Sequence, residues 1–97
     1  TVNRRQDLRE MATDTRYDAA ATAFSLGNLE SAANYVRDVL IDDPYRESTW
    51  RLSMKVAAAM GHDDRVISAF RRCQDTLAEL QTSPAQSTRR LLEQLRR

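Results

Sequence analysis

Few side chains in this sequence are equipped for chemistry, and their spacing limits what they could do. His62 is the only histidine and Cys73 the only cysteine. A histidine-based metal site, or a Ser-His or Cys-His nucleophilic pair, would have to be built on His62. No cysteine or acid cluster stands around it at ligand spacing. Asp63 and Asp64 follow it at the start of an amphipathic stretch, where carboxylates suit a helix N-terminus. Asp42 and Asp43 close an apolar run just before Pro44 and read as turn and cap residues, not an acid–base pair. No glycine-rich phosphate loop occurs. The expectation is no catalytic residue, no metal, no cofactor and no small-molecule substrate. A lone cysteine forms no intramolecular disulfide; Cys73 is expected in a helical core, in a reducing compartment such as the cytoplasm.

The sharper chemical rival is DNA reading by "KVAAAMGHDDRVISAFRR". Ala57, Gly61 and Ile67 fall at the spacing that brings the two helices of a helix-turn-helix together, and Arg71 and Arg72 follow. A recognition helix presents its first residues to the major groove, and phosphate favours a positive helix start. Asp63 and Asp64 would repel it. The same spacing recurs at Ala23, Gly27 and Ala33, as a generic close helix turn would give. Direct DNA binding is therefore not expected.

Charge and hydropathy exclude other classes. The net charge is +1, so no global field recruits nucleic acid or an anionic membrane. Residues 1–29 balance, residues 30–64 sum to −3 and residues 65–97 to +4; the asymmetry reads mainly as solvated helix faces. No apolar run approaches the roughly 20 residues of a membrane helix, and no signal peptide is visible. The first residue is Thr1, not Met, so the chain reads as one domain, residues 1–97, of a longer protein.

The elements that hold these residues are helical. Two glycines and two prolines among 97 residues, against abundant Ala, Leu and Arg, favour helix over strand. Spacings of three and four predict a first helix over about residues 3–26, with Leu8, Met11, Ala12, Thr15, Ala19, Ala23 and Leu26 inward. Gly27 stops it and Asn28 suits a cap on the next. The second helix spans about residues 29–41, with Leu29, Ala32, Ala33, Val36, Val39 and Leu40 inward. Pro44 ends it and fits the first turn of a third, with Asp43 as cap and Glu47 near the N-terminus.

The third helix, about residues 45–60, carries two apolar lines: Trp50, Met54 and Ala57, and Leu52, Val56 and Ala59. It should pack between neighbours. After Gly61, the fourth helix runs to about residue 80 on Val66, Ile67, Phe70, Cys73, Leu77 and Leu80. "QTSPAQS" connects to a last helix over about residues 85–96 that offers Leu91, Leu92 and Leu95.

The two halves repeat. A shift of 34 residues places Gly27 on Gly61, Leu26 on Met60 and Ala23 on Ala57. It also places Ala32 on Val66, Val36 on Phe70 and Val39 on Cys73. That is the tetratricopeptide period. Ala20, Gly27, Ala32 and Pro44 fill the small, turn, small and proline positions of the first repeat. Trp50 fills the early aromatic position of the second. "DDPYREST" is the joint between repeats. No proline follows the second repeat at Ala78, and the counterpart of Trp50 is Arg16. The long first helix and "TRRLLEQLRR" are expected to close the two ends. The fold class is all-α, about five helices in antiparallel pairs.

Three pieces, "DPYRESTWRLSMKVAAAMG", "AFRRCQDTLAEL" and "TSPAQSTRRLLEQL", carry a more specific likeness. The chain resembles the bacterial transcriptional activation domain, the tetratricopeptide-like module behind a winged-helix DNA-binding domain in SARP-type regulators of actinobacterial secondary metabolism. The likeness spans most of residues 10–97. It departs at Gln81, where the family has glycine, at Gln86, where a second proline is common, and at Ser87, which replaces an acid.

The resemblance implies a non-catalytic regulatory module of a cytoplasmic protein. It would mediate dimer contacts or dock on the DNA-binding domain or the transcription machinery. The alternative is a peptide-binding tetratricopeptide scaffold in a signalling or envelope protein. By repeat position, Asp14, Tyr17, Ala21, Phe24 and Ser25 would face a concave partner groove. Ser48, Arg51, Lys55, Ala58 and Ala59 would face it from the third helix. Arg51 and Lys55 put two cations on one helical face, which an acidic peptide, or Glu47 nearby, would offset. Arg89, Arg90, Arg96 and Arg97 solvate the last helix, or meet an acidic surface or phosphate beside the domain.

Overall fold

Pairs of antiparallel rods joined at glycine turns build the chain. The computed structural model describes the backbone over residues 4–97 and side chains from residue 8 onward. Within these residues it is five α-helices without strands: α1 (Arg4–Ser25), α2 (Leu29–Asp42), α3 (Glu47–Ala59), α4 (Asp63–Ala78) and α5 (Gln86–Leu95). The all-α expectation holds with every helix in place. The expected α1 start at about residue 3 lies outside the described residues.

The reversals have one shape. Gly27 and Gly61 adopt φ of +78° and +79°, the left-handed conformation that costs glycine least. In the first turn Asn28 N–H donates to the Ala23 carbonyl and Gly27 N–H to Phe24. In the second, His62 N–H donates to Ala57 and Gly61 N–H to Ala58. Both are Schellman closures. A third follows α4, where Thr82 N–H reaches the Leu77 carbonyl and Gln81 N–H that of Ala78. Gln81 occupies the glycine place at φ +58°.

α1 packs on α2 and α3 on α4, and α3 touches all four other helices. Its two apolar lines serve two cores, as the pattern predicts. Leu52 and Val56 join Ala20, Ala23, Ala32 and Val36 of the first hairpin. Trp50, Met54 and Ala57 join Val66, Ala69, Cys73 and Leu77 of α4, with Leu91, Leu92 and Leu95 of α5 packed against them. Leu40 contributes to both cores. The molecule is 18 Å thick, which is two helices deep. α1, α3 and α5 touch in series, and α2 and α4 each pack on α3.

Several local expectations are corrected. The buried stripe of α1 is Thr13, Ala20 and Ala23, with Tyr17, Ala21 and Phe24 half-buried. Leu8, Met11, Ala12, Thr15 and Leu26 are exposed. Close approach to Ala32 and Val36 selects the small residues of α1. Leu8 and Met11 lie on its N-terminal stretch, beyond the Arg16–Asp42 ion pair at the end of α2. Ala59 and Leu80 are exposed too, at helix ends. Asp43 does not cap α3. It closes α2, and its Oδ1 accepts from Tyr45 N–H at 3.2 Å, so Pro44 sits in a turn ahead of α3. Asn28 holds the N-cap position of α2 without a side-chain hydrogen bond.

Candidate protein-interaction surface

The joint between repeats is tied down by side chains. Trp50 is buried, and its indole Nε1 donates to the Pro44 carbonyl at 2.7 Å, so the ring anchors the turn that precedes its own helix. Tyr45 Oη donates to Glu79 Oε2 at 2.8 Å. That bond, and the carboxylate charge behind it, raise the phenol pKa above its ordinary value. Arg46 leaves the joint toward α1. It pairs with Asp14 and lies 5.9 Å from the centre of the Tyr17 ring. A cation over an aromatic face is an attraction of modest size at such a site.

Most of the first-helix residues assigned to a partner groove also make contacts within the chain. Asp14 is exposed but paired to Arg46. Tyr17 is half-buried beneath Arg46. Ala21 and Phe24 are half-buried against the first core, and Ser25 is exposed.

The α3 residues divide. Arg51 Nη1 donates to Thr88 Oγ1 of α5 at 3.0 Å and lies 3.6 Å from Glu47 Oε2. The Glu47 carboxylate accepts from the Thr88 hydroxyl and from Ala85 N–H, the latter at 2.8 Å. Glu47 thus caps α5 from α3, satisfying a helix-start donor that would otherwise need water. Ser48 and Ala58 are half-buried, and Lys55 is exposed. Among the described residues Lys55 has no ion pair. The chain's own last helix takes Arg51, and Lys55 keeps its charge toward solvent.

Thr88 is a residue that the sequence reading passed over. Ala20, Met54 and Thr88 stand 34 apart, and all three are fully buried at 0% exposure. α5 therefore continues the 34-residue register of α1 and α3 as well as closing an end. The signal was available: extending the 34-residue shift by one more step lands on Thr88. Arg46, which bridges Asp14 and Tyr17, carried no such mark.

The remaining chemical candidates are dispersed. His62 is the N-cap residue of α4, and Asp63 and Asp64 lie in that helix's first turn. Burial pushes the Cys73 thiol from an ordinary 9.0 up to about 11; the Glu47 carboxylate adds to the rise and the Arg51 guanidinium opposes it. Such a thiol stays protonated and unreactive near neutrality. No cluster of three or more His, Cys, Asp or Glu among the described residues could hold a metal ion. No helix among them is long and apolar enough to cross a membrane. Arg90, Arg96 and Arg97 are exposed, while Arg89 Nε donates to the Pro84 carbonyl at 3.3 Å.

Hairpins in 34-residue register around a shared central helix define a tetratricopeptide-like helical repeat domain. The chain belongs to the bacterial transcriptional activator domain family, whose model matches residues 1–96. It is accordingly a transcription-activation domain of the kind found in bacterial regulators. Neither a curated protein nor a solved structure gives a significant match.

Proposed function

We propose that residues 1–97 form a non-catalytic docking domain of a longer, cytoplasmic bacterial regulator. It joins copies of that regulator, or seats it on its DNA-binding domain or the transcription machinery. Contact with DNA itself is left to other parts of the protein. The observation that carries this reading is the exposed stretch of α1. Leu8 and Met11, three residues apart on one helix face, are 65% and 64% exposed, and every side chain from residue 8 to residue 12 faces solvent. Two large apolar side chains on an uncovered helix favour a partner surface. The groove residues Asp14, Tyr17, Phe24, Ser48, Arg51 and Lys55 form a second candidate face, on which Lys55 keeps an unpaired charge among the described residues.

The test replaces Leu8→Glu and Met11→Glu together in the full-length protein. Losing the burial of two apolar side chains should weaken association about ten-fold or more. Sedimentation reads self-association, a promoter reporter reads activation, and circular dichroism checks that helicity is kept. Unchanged association and reporter output would sink the reading. Lys55→Ala is the clean probe of the groove in the same assays, because Arg51→Ala would also loosen α5.

A further inference from the structure

α2 and α4 flank α3 without touching each other, since no Cα of one lies within 8 Å of a Cα of the other. Between them is an open cleft of about 410 Å³. Its floor is apolar: Val36 of α2, Val56 and Ala57 of α3, and Ala69 of α4. Ile41, 73% exposed, and Met60 at the end of α3 extend the apolar surface at the rim.

The charges along this cleft have one sign. Arg37 lines it from α2, Arg65 and Arg72 from α4, and His62 stands near the turn, while no Asp or Glu lines it. The three arginines are exposed, and among the described residues none has an ion pair. Arg72 also lies 5.3 Å from the centre of the Trp50 ring of α3. Three cations around an apolar trough, with no internal carboxylate to neutralise them, form a complement to an acidic group that carries oily side chains.

We propose that this cleft docks a short acidic peptide segment of another protein, with apolar side chains on the floor and carboxylates against Arg37, Arg65 and Arg72. Shape favours a peptide over a small molecule. Small-molecule sites enclose most of their ligand and orient it with buried polar groups. Here the cations stand exposed on the rims, and the floor presents side chains of Val and Ala. That is an apolar centre with a polar rim, the anatomy of a protein interface. From Ala33 to Ile41 the α2 wall is about 12 Å long, enough for one helical turn or a few extended residues. No α1 residue lines the cleft, so its occupant is independent of the docking proposed for α1.

The probe is a fluorescein-labelled peptide, Asp-Glu-Leu-Asp-Glu-Phe-Leu-Asp, titrated against the full chain by anisotropy. Two companions replace every acid by Lys, or Leu and Phe by Ser. The first peptide should bind about ten-fold or more tightly than either companion, and less tightly as salt rises. Amide shifts in the complex should gather on Ser53, Ala57 and Ser68 and leave Ser48 and Lys55 unmoved. Arg37→Ala with Arg65→Ala should weaken binding about ten-fold with helicity intact, and Arg37→Lys with Arg65→Lys should restore most of it. Equal affinity for the three peptides, or none for any, would overturn the proposal. So would shifts confined to α1 and α5, an alanine variant that binds as well as the parent, or displacement of the peptide by duplex DNA.

Discussion

Cys73 shows how a core sets the chemistry of one side chain. It is fully buried between α3 and α4, and burial acts against the thiolate because a charge loses its solvation there. The folded chain therefore holds the thiol proton more tightly than the unfolded chain does. Stability from this source is fully present below pH 9 and is lost as pH rises from 9.0 toward about 11. The steepest loss is about 1.4 kcal/mol per pH unit. Urea denaturation at stepped alkaline pH should show that decline in the parent. Cys73→Ala, which has nothing to titrate there, should start less stable and lack that component of the slope. Identical slopes would mean that the thiol does not feel the core. Thr49 is the opposite case: its hydroxyl is buried with no hydrogen-bond partner, a cost carried within the first turn of α3.

At the scale of the element, the turns carry the information. Gly27 and Gly61 need φ > 0, and a Cβ added at either would meet nothing within 4 Å. Substitution there strains the backbone without crowding a neighbour. Gln81 already bears that strain, about 1–2 kcal/mol for a side chain in the left-handed region. Glycine also gives the unfolded chain more freedom, at about 0.5–1 kcal/mol. The net expectation is that Gln81→Gly stabilises the domain by roughly 0.5–1 kcal/mol, a rise of a few degrees in Tm for a chain of this size. Calorimetry measures this directly. A fall in Tm would show that Gln81 earns its place through contacts of its side chain.

For the whole molecule the question is what holds the last helix in place. α5 contributes Leu91, Leu92 and Leu95 to the second core, but its N-terminus is positioned by Glu47 acting on Thr88 and Ala85 N–H. Each bond to a charged group contributes about 1.5–3 kcal/mol. Glu47→Ala and Thr88→Val should therefore each destabilise the fold, and the double variant should cost less than their sum by about 1 kcal/mol or more. Chemical denaturation of the four chains gives the coupling. Strict additivity would mean that the carboxylate and the hydroxyl act apart, and that Arg51 or the leucines seat α5.

Much of this architecture could be read in the residues themselves. Helix propensity, the two glycines and the 34-residue shift are local or periodic signals, and no distant contact alters them. They set the class, the two hairpins and the two-sided burial of α3. The buried face of α1 is only partly legible, because Leu8 and Met11 look like core until the length of the partner helix is known; a side chain is buried only where another element covers it. The same limit applied to the candidate surface. Periodicity placed Arg51 and Lys55 on one face, but which of them meets α5, and that Arg46 crosses to Asp14 and Tyr17, depends on how separate helices approach. Sequence determined the rods and their turns, because those follow from residues three or four apart. Tertiary packing decided which charges are neutralised inside the molecule and which remain for a partner, because that depends on groups up to 41 positions apart meeting in space.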